Sequence, residues 1–113
     1  MSEVQLQALG DHRFALQGPV VFSTAGDLLK TGNRLFAGNT DVHLDLSAVT
    51  HVDSAALALL IEWLRQAEHT GHKLHFTGMP EKLRSIAQLT GTDAILEPLA
   101  ESAEQPGNTN QKV

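Results

Sequence analysis

The sequence predicts a single α/β domain in which strands and helices alternate. Segments with apolar residues at every second position are interleaved with segments whose apolar residues recur every three to four positions. The resulting order of strand, strand, helix, strand, helix, strand, helix requires at least one parallel crossover within the sheet. The chain has 113 residues, of which 42% are apolar and 19% charged, which is the size and balance of one globular domain.

The first two strands are predicted to form a hairpin. Residues 4–9 alternate apolar side chains with glutamines, and the alternation resumes at Phe14 and Leu16. The residues at 10–12, glycine, aspartate and histidine, are typical of a tight turn.

A weak helix is expected next. Ser23 or Thr24 can cap it, and Asp27 stands three residues after Thr24, as in a capping box. Gly26 and Gly32 lower its helical propensity, which is why the predicted helix is weak.

The clearest helix is predicted over residues 53–70, after a strand at residues 41–46. Asp53 or Ser54 supplies the N-cap. Gly71 stands where a left-handed residue ends a helix.

The remaining elements follow the same alternation. Leu74 and Phe76 indicate a fourth strand, and Pro80 is well placed to open a helix over residues 81–90. Residues 94–96 suit a short last strand or a turn.

The polar composition of the C-terminal segment sets the expected domain boundary. Residues 1–99 form the predicted domain. Residues 100–113 have almost nothing to bury, so we expect a disordered tail.

Composition excludes several classes of function. Eight basic and 13 acidic residues give a formal net charge of −5, which argues against binding nucleic acid or anionic lipid. The absence of cysteine excludes disulfides, thiolate metal sites and thiol catalysis. The longest apolar run, residues 55–61, is far shorter than the roughly 20 residues that span a bilayer. With no secretory leader in the sequence, we expect a cytoplasmic protein that does not insert directly into a membrane.

No motif for a cofactor is found, and no metal site is predicted. The sequence lacks a P-loop and a dinucleotide-binding glycine pattern. His69, His72 and His75 straddle a helix end, a turn and a strand, so their side chains need not converge. We expect His69 to lie near a helix C-terminus and His75 to face water.

A hydrolytic triad is also not expected, although His51, Asp53 and Ser54 are the residue types of one. Adjacency in sequence does not bring side chains together in space, and no nucleophile-elbow motif accompanies them. We therefore predict that the protein has no catalytic residues.

The helix at residues 53–70 has more apolar surface than a single buried face requires. On a helical wheel, the face predicted to pack on the sheet consists of Leu57, Leu60, Ile61, Leu64 and Ala67. The opposite, polar face contains Glu62, Arg65, Gln66 and His69.

Small residues interrupt that polar face near the start of the helix. Ser54, Ala55 and Ala58 lie among the polar positions, with Leu59 at their edge. Such a patch lets a partner approach closely. A phosphate on Ser54 would instead meet the positive end of the helix dipole and bring roughly −1.5 to −2 charges into the patch. The pattern favours docking and a charge switch equally.

Residues 45–57, with the sequence DLSAVTHVDSAAL, resemble the signature of STAS domains, the sulfate transporter and anti-sigma factor antagonist family. Residues 71–78 and 83–91 are similar to the turn, strand and helix that follow in that family. The likeness covers about residues 4–98. It implies a SpoIIAA-like mixed sheet of four to five strands with about four helices, and no enzymatic activity.

Two branches of the family imply different partners. In anti-sigma factor antagonists, the serine at the position of Ser54 is phosphorylated by a kinase that is also the anti-sigma factor. In the MlaB branch, the domain is a cytoplasmic subunit of the Mla phospholipid ABC transporter that docks on its ATPase, MlaF, and through it on the permease.

Residues 54–64 and 82–89 look closer to the MlaB branch. Antagonists more often carry a second serine and a glycine where Ala55 and Ala56 stand, yet Ser54 keeps phosphorylation open. This resemblance, with the helical wheel, implies a partner-binding surface centred on Ser54, lined by Ala55, Ala58, Leu59 and Glu62, and rimmed by Arg65 and Arg84.

Overall fold

A computed structural model, which describes residues 4–92, shows an α/β fold with a four-stranded mixed sheet and three helices, and so confirms the predicted fold class. The elements are β1 (Gln5–Gly10), β2 (Arg13–Val20), α1 (Phe22–Phe36), β3 (Asp41–Val52), α2 (Ser54–Thr70), β4 (Lys73–Thr77) and α3 (Glu81–Thr90). Residues 94–96 and the predicted tail lie outside the described residues.

The strand order in the sheet follows the chain. β1 and β2 are antiparallel, whereas β2 pairs with β3 and β3 pairs with β4 in parallel. Asp11 and His12 have φ values of 53° and 64°, so they form the two-residue left-handed turn that suits a hairpin. The predicted hairpin and parallel crossovers are both confirmed.

Side chains of the strands alternate between a buried face and an open face. In β3, Val42, Leu44 and Leu46 are buried, and the residues between them are only half-buried. The helices cover the buried face, since α1 contacts β1 and β2 while α2 contacts β4. The polar residues of the open face include Gln5, Gln7, Arg13, Gln17, Asp41, His43, Asp45, Lys73, His75 and Thr77.

β3 is twice as long as the predicted strand at residues 41–46. Its first part pairs with β4, but the part from Ala48 to Val52 pairs with the end of β2. Backbone hydrogen bonds to β2 therefore extend the strand beyond the segment in which apolar and polar residues alternate.

α1 begins differently from the prediction. Its N-cap is Val21, not Ser23 or Thr24, so Asp27 has no capping-box role. Thr24 is the third helical residue. Its hydroxyl accepts a hydrogen bond from the Val21 amide at 3.0 Å and donates one to the Pro19 carbonyl at 2.9 Å. The start of α1 is thus attached directly to the end of β2.

Packing between α1 and α2 explains the glycine in the middle of α1. Gly32 is buried, and a Cβ there would come within 2.4 Å of the Trp63 indole. Phe36 lies edge-on to the Trp63 ring, with centroids 5.2 Å apart, and also edge-on to Phe14, at 5.0 Å. The glycine costs helical propensity, but it lets the indole lie against the helix backbone.

The ends of α2 agree with the prediction. Asp53 is the N-cap, and Gly71 adopts the left-handed conformation at the C-terminus. None of the helices in residues 4–92 is long and apolar enough to cross a membrane.

Candidate functional site

The candidate site lies at the corner where β3 passes into α2. Asp53 has an extended backbone, and one of its carboxylate oxygens accepts a hydrogen bond from the Ala55 amide at 2.8 Å. Its other oxygen accepts one from the Phe22 amide at 3.0 Å. A single carboxylate thus accepts a hydrogen bond from a backbone amide in the first turn of each of two helices, and it holds the starts of α1 and α2 side by side.

Ser54 and Ala58 are exposed, and Ala55 is half-buried beside them. The corner is therefore accessible to a partner, as the helical wheel predicts. Ser54, Ala58, Glu62 and Arg65 follow one another along successive turns of α2, because residues three and four apart share a helix face. We refer to these four residues as the outer stripe.

The two charged residues of the outer stripe pair with each other. The Arg65 guanidinium donates two hydrogen bonds to the Glu62 carboxylate, at 3.0 and 2.6 Å, and the Gln66 amide donates a third at 2.9 Å. The hydrogen bonds from Arg65 and Gln66 lower the pKa of Glu62 to about 2. The outer stripe therefore combines small side chains at one end with an ionised, internally paired carboxylate further along.

The prediction that Leu59 belongs to the docking patch is wrong. Leu59 is only 4% exposed and belongs to the core. The wheel assumed that α2 packs on the sheet alone, but α2 lies between α1 and α3 and contacts both. Its buried arc is correspondingly wider and includes both Leu59 and Trp63, one turn later.

Arg84 is placed on a different element from the other candidates. It is half-buried on α3, and its amide donates a hydrogen bond to the Pro80 carbonyl at 3.1 Å. Because α3 packs against α2, Arg84 belongs to the same layer of helices as the outer stripe.

Phe22 is a residue at this corner that the sequence analysis missed. Phe22 is 85% exposed and is the first residue of α1. Its backbone amide donates the hydrogen bond to Asp53. A large aromatic side chain that the core leaves uncovered is a common feature of binding surfaces. The sequence signal is weak, since Phe22 follows the apolar Val20 and Val21 and resembles a continuation of the strand.

The three residues of triad type do not assemble into one. The His51 imidazole contacts the Thr50 hydroxyl at 3.1 Å and is exposed. Both carboxylate oxygens of Asp53 accept hydrogen bonds from backbone amides. Asp53 is therefore occupied as a helix cap and does not orient the His51 imidazole.

The histidines do not form the grouping considered from the sequence. His69 lies exposed in the last turn of α2, as expected. His75 instead contacts Asp41 and His43 on the open face of the sheet, where its side chain is 27% exposed. Asp41 and His43 are spaced two apart on a strand, which places them on one face, but the strand register that adds His75 could not be derived from the sequence.

Comparisons with known proteins agree with this architecture. A family model described as "Mlab, STAS domain" matches residues 4–98. A comparison with curated proteins finds no match.

Several solved structures share the fold. The phosphorylated form of the Bacillus cell fate determinant SpoIIAA is 16% identical, with 91% of this chain and 94% of that chain covered and a TM-score of 0.65. An anti-sigma factor antagonist from Mycobacterium paratuberculosis is 19% identical, with 93% and 90% covered and a TM-score of 0.65. A sulfate transporter family protein from Wolinella succinogenes is 23% identical, with 85% and 80% covered and a TM-score of 0.63.

At these identities the solved structures show a common fold alone. The family model, in contrast, spans most of the chain. Domains of this kind typically serve in regulation or interaction and not in catalysis. The protein belongs to the STAS domain family.

Proposed function

We propose that this protein is a non-enzymatic accessory subunit that binds the ATPase of the Mla phospholipid ABC transporter and activates or stabilises it, in the maintenance of outer-membrane lipid asymmetry. The observation that carries the proposal is the exposed start of α2, at Ser54 and Ala58, in a chain that the "Mlab, STAS domain" model matches over residues 4–98. The ATPase subunit, similar to MlaF, is the direct partner, and the permease is reached through it.

The corner has the physical features of a docking surface. The short side chains of Ser54 and Ala58 allow a partner's backbone to approach α2 closely. The ring of Phe22, 85% exposed, offers an apolar anchor beside them. Fully burying a phenylalanine contributes about 1.5–3 kcal/mol, whereas an exposed ion pair contributes about 0–1 kcal/mol. The aromatic ring and the small residues therefore supply the affinity, and Arg65 and Arg84 lie at the rim.

Co-purification with the transporter's ATPase subunit tests this surface. Ala58→Lys places a long cation on the outer stripe and is expected to abolish co-purification. Ala37→Lys is the matched control, because Ala37 is exposed at the far end of α1, about 22 Å along that helix. Phe22→Ala is expected to weaken binding at least ~10-fold. Retention of the ATPase by Ala58→Lys, or its equal loss with Ala37→Lys, would contradict the proposal.

Binding to a membrane transporter would place the protein at the inner membrane through its partner. The test is fractionation of cells with and without the permease. The protein is expected in the membrane fraction only when the permease and the ATPase are both present. Membrane association without either subunit would show a direct lipid contact instead.

A second candidate function is that of an anti-sigma factor antagonist regulated at Ser54. Ser54 is exposed and is the first residue of α2, where the helix dipole stabilises an added phosphate. The fold of SpoIIAA and of the mycobacterial antagonist gives this candidate support of its own. Its partner would be an anti-sigma factor kinase.

Phosphorylation separates the two candidates. If the protein is an antagonist, incubation with the cognate kinase is expected to add one phosphate, visible by intact mass, and Ser54→Ala is expected to prevent this addition. The transporter subunit is expected to stay unmodified. Ser54→Asp would then release the kinase partner while Ser54→Ala stays bound. A gene neighbourhood with an ABC ATPase and permease favours the transporter subunit, whereas a serine kinase and a sigma factor favour the antagonist.

A further inference from the structure

A cluster of three side chains lies on the open face of the sheet, away from the corner at Ser54. His43 of β3 and His75 of β4 are directly opposite each other in the parallel register. Their imidazole rings stack with centroids 4.6 Å apart and an interplanar angle of 16°. Asp41 precedes His43 by two residues, so its carboxylate lies on the same face of the strand.

The potential ligand atoms of this cluster are close together. The Asp41 carboxylate lies 2.8 Å from Nε2 of His75 and 3.6 Å from Nε2 of His43. One ligand atom from each of the three residues lies within 4.8 Å of the other two. Bonds of about 2.0–2.2 Å to a tetrahedral ion place its ligand atoms about 3.3–3.6 Å apart. The separation of 3.6 Å fits this spacing, and the separation of 2.8 Å has to lengthen by about 0.5 Å when an ion binds.

We propose that Asp41, His43 and His75 form a binding site for a divalent transition-metal ion of the zinc class. Two imidazole nitrogens and one carboxylate oxygen suit Zn²⁺, Ni²⁺ or Cu²⁺, whereas Mg²⁺ and Ca²⁺ require a shell of oxygen ligands. Water completes the coordination shell, because all three side chains are at least a quarter exposed. The site is independent of the proposed docking function, since it is on another face of the molecule.

Some charged residues near the cluster oppose the binding of a cation, and others favour it. Arg13 of β2 pairs with His43 and Lys73 of β4 pairs with Asp41 in the strand register, so two cations lie on the same face. Asp45, two residues beyond His43 on the same face, offsets one of them.

Calorimetric titration of the full, tag-free chain with zinc chloride tests the site. We expect one ion to bind per chain, with no competition from excess Mg²⁺. Asp41→Asn and His75→Ala each remove a ligand and are expected to weaken zinc binding at least ~10-fold. The matched control is the double variant His69→Ala and His72→Ala, which removes two other histidines and is expected to bind zinc like the unaltered chain.

Circular dichroism and urea unfolding establish that each variant is folded. Histidine ¹⁵N chemical shifts provide a second measurement on the unaltered chain, and those of His43 and His75 are expected to change together on zinc addition. If zinc does not bind with this stoichiometry, or if the control variant loses as much affinity as His75→Ala, the cluster is only a stacked pair of histidines beside an aspartate and the proposal is wrong.

Discussion

The carboxylate of Asp53 accepts a hydrogen bond from the backbone amide of Phe22, across 3.0 Å, although the two residues are 31 positions apart in the chain. Its second oxygen caps α2 at Ala55. The Asp53 side chain therefore helps to fix the position of Phe22 relative to Ser54, together with the pairing of Val20 with Val52. This gives Asp53 a structural role in the candidate docking surface without any contact of its own with a partner.

Asp53→Ala is expected to lower the free energy of unfolding by about 2 kcal/mol, because it removes an N-cap and a second hydrogen bond to an amide. Urea denaturation measures the change. Asp53→Asn is the control: its single carbonyl oxygen can still cap α2 but cannot also accept from Phe22, so about half of the loss should be recovered. Equal stability of Asp53→Ala and the unaltered chain would contradict the shared cap.

Gly32→Ala is expected to destabilise the fold by about 1–3 kcal/mol despite the better helical propensity of alanine. The new methyl group would meet the Trp63 indole at 2.4 Å. Gly26→Ala on the same helix meets nothing within 4 Å and is expected to stabilise by about 0.5–1 kcal/mol. Thermal unfolding followed by the fluorescence of Trp63, the single tryptophan, compares the two variants. The midpoint of thermal unfolding is expected to fall in Gly32→Ala and to rise in Gly26→Ala.

Leu59→Ala is expected to cost about 2–5 kcal/mol of unfolding free energy, because Leu59 is buried in the core. Leu59→Lys should therefore unfold the domain and is unsuitable as a test of docking. Leu89→Ala is the matched control, since Leu89 is 87% exposed, and its effect should stay within about 0.5 kcal/mol. Similar losses in the two alanine variants would argue against the burial of Leu59.

The Glu62 carboxyl is expected to titrate near pH 2, below its usual 4.5, because Arg65 and Gln66 donate hydrogen bonds to the ionised form. Since the folded-state pKa is lowered, the stabilising contribution is present above pH 4.5 and is lost as the pH falls toward 2. NMR titration of the carboxyl carbon measures it. Arg65→Gln should raise the pKa of Glu62, whereas Arg34→Gln, on α1, should leave it unchanged.

Local signals explain why so much of the fold could be predicted. The hairpin turn, the cap at Asp53 and the left-handed Gly71 each depend on a few neighbouring residues. The turn and Gly71 are predicted at the observed positions, and Asp53 is one of the two residues predicted as the cap. The exposure of Ser54 and Ala58 follows from the helical period in the same way.

The errors arose where distant segments decide the outcome. Leu59 is buried because α1 packs beside α2, and the wheel of one helix contains no information about its neighbour. The second half of β3 is a strand because β2 pairs with it. Thr24 is the third residue of α1 and not its N-cap, because its hydroxyl bonds to the Val21 amide and to the Pro19 carbonyl at the end of β2. The proximity of His75 to Asp41 likewise requires the register between two strands.

The length of β3 determines how strongly a charge at the histidine cluster can affect the corner at Ser54. His43 lies near the start of this twelve-residue strand and Val52 at its end, so about 30 Å of extended chain separates the histidine cluster from the corner at Ser54. The Debye length at physiological ionic strength is about 8 Å, so the electrostatic potential of a charge at one end of β3 is screened by salt at the other end. Phosphorylation of Ser54 would therefore leave the affinity for a cation at His43 unchanged, and a bound cation would leave the phosphorylation of Ser54 unchanged.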